Sequence, residues 1–92
     1  MFFPIEFHIG DLARYPYHLT GELVRVEHWN VAQNQGRVVA RNIVALSKGE
    51  DGALKNFSQV PFFWTVQFGK SVRYCGHALK FDDVIIQVRS CL

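Results

Sequence analysis

The sequence predicts a small α+β fold, in which an N-terminal strand and a long helix precede an antiparallel hairpin. Hydrophobic residues alternate with polar ones in residues 5–9, recur with helical spacing in residues 30–46, and alternate again in residues 70–75 and 82–88. The chain has 92 residues, of which 49% are hydrophobic and 20% are charged. This length and composition are typical of one small globular domain or of a piece of a larger one.

The N-terminal strand is predicted from Ile5, Phe7 and Ile9, which share one side of the alternating pattern. Gly10 ends the pattern, so Asp11 is expected just past the carboxyl end of a strand, where open α/β sheets bind their ligands. The same Gly-Asp pair is also a favourable turn sequence, and the spacing leaves both interpretations open.

Two short segments separate this strand from the helix. Residues 12–21 are predicted to form a loop, because proline and glycine punctuate a largely polar stretch. Residues 23–27 are predicted to form a short strand. Val24 and Val26 would lie on one face of that strand, and Arg25 would lie on the other face with its neighbour Glu27.

The helix over residues 30–46 is the clearest predicted element. Asn30 is a favourable N-cap residue, and Gln33 stands where a capping-box partner would be. The small side chains in its apolar face would let the helix approach another backbone or a ligand closely. That face is expected to contain Ala32, Gly36, Val39, Ala40, Ile43 and Leu46.

The second half of the chain is predicted to be a separate hairpin subdomain. Residues 47–58 read as an exposed loop that divides the two halves, because residues 48–52 have no apolar side. Residues 70–75 and residues 82–88 are then expected to pair as antiparallel strands, with the intervening residues as the connecting loop.

Residues 60–69 (VPFFWTVQFG) form the most aromatic stretch of the chain. Pro61 lacks a backbone donor, so the stretch must begin at a strand edge or a turn. The large rings need a flat cover, which is either the protein's own core or a bound aromatic ring. The rings concerned are Phe62, Phe63, Trp64 and Phe68.

Several classes of function are excluded by composition and spacing. A net charge of +2 with scattered basic residues argues against nucleic acid as a partner. No stretch of about 18 apolar residues is present, so no transmembrane helix is expected. The histidines lack metal-ligand spacing, and Cys75 and Cys91 form no Cys-x-x-Cys pair. Neither a Gly-x-Ser-x-Gly motif nor a phosphate-binding glycine loop occurs, and no catalytic residue is predicted. Two cysteines favour a reducing, intracellular compartment.

One constellation of residues points to a flavin. A helix N-terminus carries free backbone donors and partial positive charge, which would stabilise a reduced flavin, since reduced flavin is anionic at its pyrimidine edge. A carboxylate can hold sugar-like hydroxyls, and an indole can lie against an aromatic ring. The candidate cofactor-binding residues are therefore Asp11, Glu27, His28, Trp29 and Trp64.

At these residues the sequence resembles a known family. Residues 9–16 (IGDLARYP) look like the second flavin fingerprint of FAD-dependent pyridine-nucleotide reductases. Residues 26–32 (VEHWNVA), followed by residues 35–37 (QGR), are similar to the helix start that comes after that fingerprint. Residues 61–74 (PFFWTVQFGKSVRY) with residues 81–87 (FDDVIIQ) look like the start of the C-terminal reductase domain. The likeness is to the apoptosis-inducing-factor-like group, which carries a Rieske domain upstream.

This resemblance implies a cofactor, a reaction and a role for each candidate residue. Asp11 would hydrogen-bond the ribityl chain of FAD. The backbone of Glu27, His28 and Trp29 would face the pyrimidine end of the isoalloxazine ring, and Trp64 would border the ring. Family members pass hydride from NADH or NADPH to FAD and then electrons singly to an iron–sulfur or other acceptor, which can be the Rieske domain of the same chain. The resemblance also suggests a mitochondrial location.

The sequence departs from the family pattern in two respects. The glycine-rich loops that bind the FAD pyrophosphate and the nicotinamide nucleotide are absent, and the likeness ends after Gln87. Residues 1–47 are therefore expected to be the C-terminal end of an FAD-binding domain, and residues 59–92 the truncated start of the reductase C-terminal domain. A piece of this kind is expected to be marginally stable by itself, because short chains bury a small share of their surface.

A competing interpretation is a non-catalytic α+β interaction module or an inactive alternative product. The aromatic stretch would then be a protein-binding surface, and the hairpin of residues 70–88 would expose an edge strand that pairs with a partner. A third alternative is that Trp64 and its phenylalanine neighbours form the core.

Overall fold

The computed structural model describes residues 5–89 and confirms the α+β class. In chain order, a 3-10 helix (Gly10–Leu12) is followed by strands β1 (Tyr15–Pro16) and β2 (Leu23–Val24) and by helix α1 (Trp29–Ser47). A second 3-10 helix (Asp51–Ala53) then leads to strands β3 (Phe62–Gln67) and β4 (Lys70–Cys75). β1 pairs with β2 and β3 pairs with β4, both antiparallel, in two separate sheets.

The hydrophobic core lies where β1, β2 and the first turn of α1 meet. Tyr17, Val24, Val26 and Val31 form it, and each is no more than 3% exposed. The core is small and the molecule is elongated, with a radius of gyration of 17.6 Å against about 12 Å for a compact chain of this length. Both features support the expectation that the isolated chain is marginally stable.

The N-terminal strand prediction is wrong. Residues 5–9 belong to no strand, and their hydrophobic side chains are exposed, Ile5 by 66% and Ile9 by 41%. A strand requires a neighbour to hydrogen-bond with, and no segment between residues 5 and 89 pairs with this one. Asp11 therefore follows no strand and lies within the first 3-10 helix.

The short segments before α1 are partly as predicted. The predicted loop contains β1, in which Tyr15 pairs with Val24, so that prediction missed a strand. Val24 and Val26 are buried on one face as expected. On the other face Arg25 and Glu27 are exposed and form an ion pair of 3.2 Å.

Helix α1 is present, but its start and its buried face differ from the prediction. His28, not Asn30, is the N-cap residue, and it makes no side-chain capping hydrogen bond. The Asn30 side chain instead accepts a hydrogen bond from Nδ2 of Asn34 (3.3 Å), so the predicted capping box does not form. The buried positions are Val31, Gln35 and Ala45, whereas the predicted face included Ala40 and Ile43, which are exposed.

The buried face of α1 differs from the predicted face because the segments that pack against the helix are loops and not a flat sheet. The N–H of Gly10 donates to Oε1 of Gln35 (2.8 Å), which draws this polar residue inward. A Cβ at Gly36 would lie 3.7 Å from Cδ1 of Ile9, and one at Gly10 would lie 3.7 Å from Cβ of Ala32, and both are ordinary van der Waals distances. Neither contact requires a glycine, so the close approach through small residues stays a prediction.

Residues 47–58 form the largely exposed loop that the sequence predicts. The loop is nevertheless tied to α1 at one point. Nδ2 of Asn42 donates to the carbonyl of Lys55, and Oδ1 of Asn42 accepts from the N–H of Lys55, both at 2.9 Å. Two residues later Phe57 packs edge-on against Tyr15, with ring centroids 5.4 Å apart.

The hairpin pairs different segments from those predicted. β4 pairs with the aromatic strand β3, through the two-residue turn Phe68-Gly69. Residues 82–88 belong to no strand, and Ile85 is 91% exposed. Phe68 and Gly69 have φ values of 51° and 72°, as the type I′ turn requires, and a two-residue loop closes at a lower entropic cost than the longer loop of the predicted pairing.

Replacing Phe68 with asparagine should stabilise the hairpin by about 0.5–1 kcal/mol, because asparagine tolerates a positive φ better than phenylalanine. No packing is lost, since Phe68 is fully exposed. Phe68→Ala removes the same ring without the backbone benefit and should give no gain. Hairpin population from NMR chemical shifts measures the effect, and equal populations in both variants would contradict the explanation.

The free energy of unfolding should fall as the pH rises above 10. The hydroxyl of Tyr15 is shielded from solvent and finds no hydrogen-bond partner among residues 5–89, and burial, then the neighbouring Tyr17, raises the pKa of Tyr15 above its usual 10.0. The folded protein therefore retains a proton that the unfolded chain releases, so this contribution is intact below pH 10 and is lost as pH rises through the folded-state value.

Urea titrations between pH 8 and pH 11 would measure this effect. Tyr15→Phe should reduce the alkaline loss, whereas Tyr74→Phe, which leaves Tyr15 in place, should preserve it. An unchanged alkaline loss in Tyr15→Phe would show that another group is responsible.

Candidate functional site

The N-terminus of α1, called the helix mouth below, begins at the N-cap residue His28 and offers backbone N–H donors that no side chain satisfies. His28 makes no capping hydrogen bond, and the first turn contains no acidic residue. The first N–H groups of a helix have no partner within the helix, and they carry the positive end of its dipole. This end of α1 can therefore accept a ligand atom that bears negative charge.

An aromatic cluster stands directly at this mouth. The ring centroids of Trp29 and Trp64 are 4.9 Å apart at an interplanar angle of 75°, and those of Phe62 and Trp64 are 5.6 Å apart. Trp29 is 55% exposed and Trp64 is 41% exposed. The aromatic strand is thus not a closed core: within residues 5–89 its indole has one aromatic neighbour on each side and open surface remaining.

His28 contacts the opposite face of the same hairpin. Its ring lies 5.2 Å from that of Phe63 and 6.2 Å from that of Tyr74, a cross-strand pair. Since neighbouring residues of a strand point to opposite faces, His28 and Trp29 lie on the two sides of β3. Nδ1 of His28 is buried and finds no hydrogen-bond partner in the described part of the chain.

Asp11 and Glu27 lie near this mouth but are not part of the aromatic cluster. Asp11 is exposed in the 3-10 helix whose Gly10 lies near Ala32 in the first turns of α1. The carboxylate of Glu27 forms its ion pair with Arg25 on the outer face of the β2 segment. Among the five predicted residues, the structure brings Trp29 and Trp64 into contact and keeps His28 beside them.

A cleft lies away from this helix start, between the β1–β2 loop and residues 56–58. It has a volume of about 450 Å³, and none of the five predicted residues lines it. Its aromatic wall is the pair of Tyr15 and Phe57, which the sequence reasoning missed. The only available signal was a pair of tyrosines flanking a proline, and Phe57 is distant from them in sequence. The lining residues are Tyr15, Pro16, Tyr17, His18, Gly21, Asn56, Phe57 and Ser58.

The residues at the helix mouth fit the border of a flavin ring. Free N–H donors suit its pyrimidine edge, and half-exposed indoles suit its flat surface. The described residues offer neither an enclosing cavity there nor a glycine loop for a pyrophosphate. No group of three or more potential metal ligands occurs in residues 5–89. No helix in that range is long and apolar enough to cross a membrane.

Comparison with known proteins identifies the class to which this arrangement corresponds. The chain is 32% identical over 74 residues to the ferredoxin--NAD(+) reductase component of the 3-phenylpropionate/cinnamic acid dioxygenase of Photorhabdus laumondii, a match that covers 80% of the chain and 17% of that protein. It is 31% identical over 70 residues to the corresponding component of the anthranilate 1,2-dioxygenase system of Burkholderia cepacia, covering 76% and 16%.

A more similar relative is apoptosis-inducing factor 3 of Homo sapiens, with 41% identity over 85 residues, or 91% of the chain and 13% of that protein. No protein-family model matches the chain, and no solved structure matches it. These homologues confirm the resemblance to apoptosis-inducing-factor-like, FAD-dependent reductases. The chain corresponds to a segment of them and spans between 13% and 17% of the length of these relatives.

Trp29 and Trp64 should show energetic coupling in a double-mutant cycle. Edge-to-face aromatic pairs contribute about 0.5–1.5 kcal/mol beyond area burial, so Trp29→Leu and Trp64→Leu together should cost less than the sum of the single changes. Urea denaturation measures the four stabilities. The matched control pairs Trp29→Leu with Phe68→Leu, whose ring touches nothing, and should give additive effects. Additivity in the tryptophan pair would show that the contact is absent in solution.

Proposed function

We propose that this chain is the flavin-edge segment of an FAD-dependent NAD(P)H oxidoreductase. The observation that carries the proposal is the contact of Trp29 with Trp64 at the uncapped start of α1. It joins backbone donors to an open aromatic surface, and the homology to reductases supports the same assignment.

Each candidate residue has a role in this proposal. The backbone of Glu27, His28 and Trp29 faces the pyrimidine end of the isoalloxazine ring, and Trp64 borders the ring. Asp11, exposed beside the first turns of α1, accepts hydrogen bonds from the ribityl hydroxyls. The bound FAD would supply hydride acceptance and single-electron release.

The electrostatics of the helix mouth suit a reduced flavin. The partial positive charge of the α1 N-terminus favours negative charge at the pyrimidine edge. Glu27 would oppose this, but its ion pair with Arg25 draws the carboxylate to the outer face and offsets its charge. The mouth therefore keeps its preference for an anionic ring edge.

The wider proposal concerns the parent enzyme. Electrons pass from NADH or NADPH through FAD to an iron–sulfur or other acceptor, which can be a ferredoxin or a Rieske domain of the same chain. Residues 1–47 close the FAD-binding domain, and residues 59–92 open the reductase C-terminal domain. A mitochondrial location belongs to the same proposal.

The role of Asp11 is tested in a longer polypeptide, in which this segment follows the dinucleotide-binding region of such a reductase. That polypeptide should bind FAD and turn yellow. Asp11→Ala should weaken FAD binding about 10- to 100-fold, because one charge-assisted hydrogen bond contributes about 1.5–3 kcal/mol. Flavin fluorescence during titration measures the affinity.

Asp51→Ala is the matched control, since Asp51 is also an exposed aspartate in a 3-10 helix and lies at the far end of α1. It should leave FAD affinity unchanged. A polypeptide that stays colourless after reconstitution with FAD would rule out the flavin-edge assignment.

A non-catalytic interaction module is the second candidate, and a separate observation favours it. Every residue of β4 is exposed, and the segment of residues 82–88, which belongs to no strand, presents Ile85 and Ile86 to solvent. Exposed edges and apolar segments of this kind pair with other chains. Sedimentation that depends steeply on protein concentration and is unaffected by FAD would favour this module over the reductase segment.

A further inference from the structure

Arg73 lies directly across the hairpin from Trp64. The register pairs Trp64 with Arg73, so both side chains point to the same face of the β3–β4 sheet. Hydrogen-bonded and non-hydrogen-bonded pairs alternate along an antiparallel ladder, starting from the hydrogen-bonded pair that closes a two-residue turn. The N–H of Gly76 donates to the carbonyl of Pro61 (2.8 Å), in step with that alternation. Trp64 and Arg73 are therefore a non-hydrogen-bonded pair, whose side chains approach most closely.

The charge of Arg73 is unneutralised within residues 5–89. The ion pairs in that range join His8 with Glu6 and Arg25 with Glu27, both outside the hairpin. The face that carries Arg73 has no acidic residue. Besides Trp29, which packs onto it, that face consists of Phe62, Trp64, Val66, Ser71, Arg73 and Cys75.

We propose that this indole face binds a ligand that combines a planar conjugated ring with a negatively charged group, such as a mononucleotide. The ring lies against Trp29 and Trp64, and the anionic group accepts hydrogen bonds from the guanidinium of Arg73. The inference rests on the proposed function and deepens it, because it adds charge recognition to the flavin-edge site and assigns that recognition to one residue.

Charge and shape together select this ligand class. Exposed indoles offer flat apolar area to any conjugated ring, but a neutral ring gains less from an unpaired guanidinium beside them than a ring with an anionic group does. Guanidinium groups bind phosphate through two parallel N–H bonds, and they are weakly hydrated, so the desolvation cost is modest. A ring with a phosphate on a short tether uses both features at once.

The hairpin supplies a matched control for the charge. Lys70 pairs with Gln67, three residues from Arg73 along β4, and therefore points to the opposite face. Arg73→Gln and Lys70→Gln remove the same charge from the same strand. Only Arg73→Gln removes the charge from the indole face. Comparing the two variants therefore separates long-range attraction of an anionic ligand from direct contact with it.

The test is an equilibrium titration of the full 92-residue chain with riboflavin and with flavin mononucleotide, followed by tryptophan fluorescence. The two probes share one ring and differ by a phosphate. Flavin mononucleotide should bind about 10-fold more tightly than riboflavin at low salt, and the difference should shrink as salt is added. Arg73→Gln should abolish the difference, and Lys70→Gln should retain it. N-acetyltryptophanamide corrects for collisional quenching.

The outcomes separate this inference from the proposed function. Equal binding of the two probes would overturn the assignment to Arg73, and so would equal losses of flavin mononucleotide affinity in Arg73→Gln and Lys70→Gln. In both cases binding of riboflavin would still support the flavin edge. Failure of both probes to bind would overturn the ligand class proposed here, and the FAD titration of the longer polypeptide would then decide the flavin edge by itself. Arg73-dependent binding of polyglutamate without binding of flavin mononucleotide would assign the face to an acidic protein surface and would overturn the ligand class proposed here.

Discussion

The burial of Val26 and Val31 in one shared core is the constraint from which the geometry of the candidate site follows. Both side chains are 1% exposed in the same core, one before α1 and one in its first turn. The four residues between them have no freedom to move away from the hairpin. His28 and Trp29 are consequently held on opposite faces of β3, and the uncapped helix start is held beside Trp64. A loss of packing in this core would displace the helix mouth and the aromatic cluster together.

The core secures the helix mouth, but it does not cover the aromatic strand. Trp29 and Trp64 remain about half-exposed, and the donors of the first turn have no side-chain cap. Large exposed apolar surface and free helix donors are both unfavourable in an isolated domain, and both are typical of a surface that binds something. The homology to proteins that are about five to seven times as long fits a segment whose cover is provided by other parts of a protein.

Sequence periodicity predicted side-chain facing better than strand pairing. Val24 and Val26 are buried and Arg25 is exposed, as their alternation predicts, and α1 begins within one residue of its predicted start. Residues 5–9 and 82–88 carry the same alternating signal, yet neither forms a strand. Alternation reports which side of a segment is apolar, whereas a strand also requires a neighbour with free hydrogen-bonding groups. The predicted hairpin failed for this reason, because β3 reached β4 through a shorter turn.

The sequence by itself determined the fold class, the existence of α1 and the chemical types at the candidate site, because these depend on local propensity and residue identity. Only the tertiary structure decided that Trp29 touches Trp64 and that Arg73 shares the indole face. Those relations join residues that are distant in the chain or that are oriented by strand register. They follow from hydrogen-bond pairing and core packing across the whole molecule, which no local pattern of residues encodes.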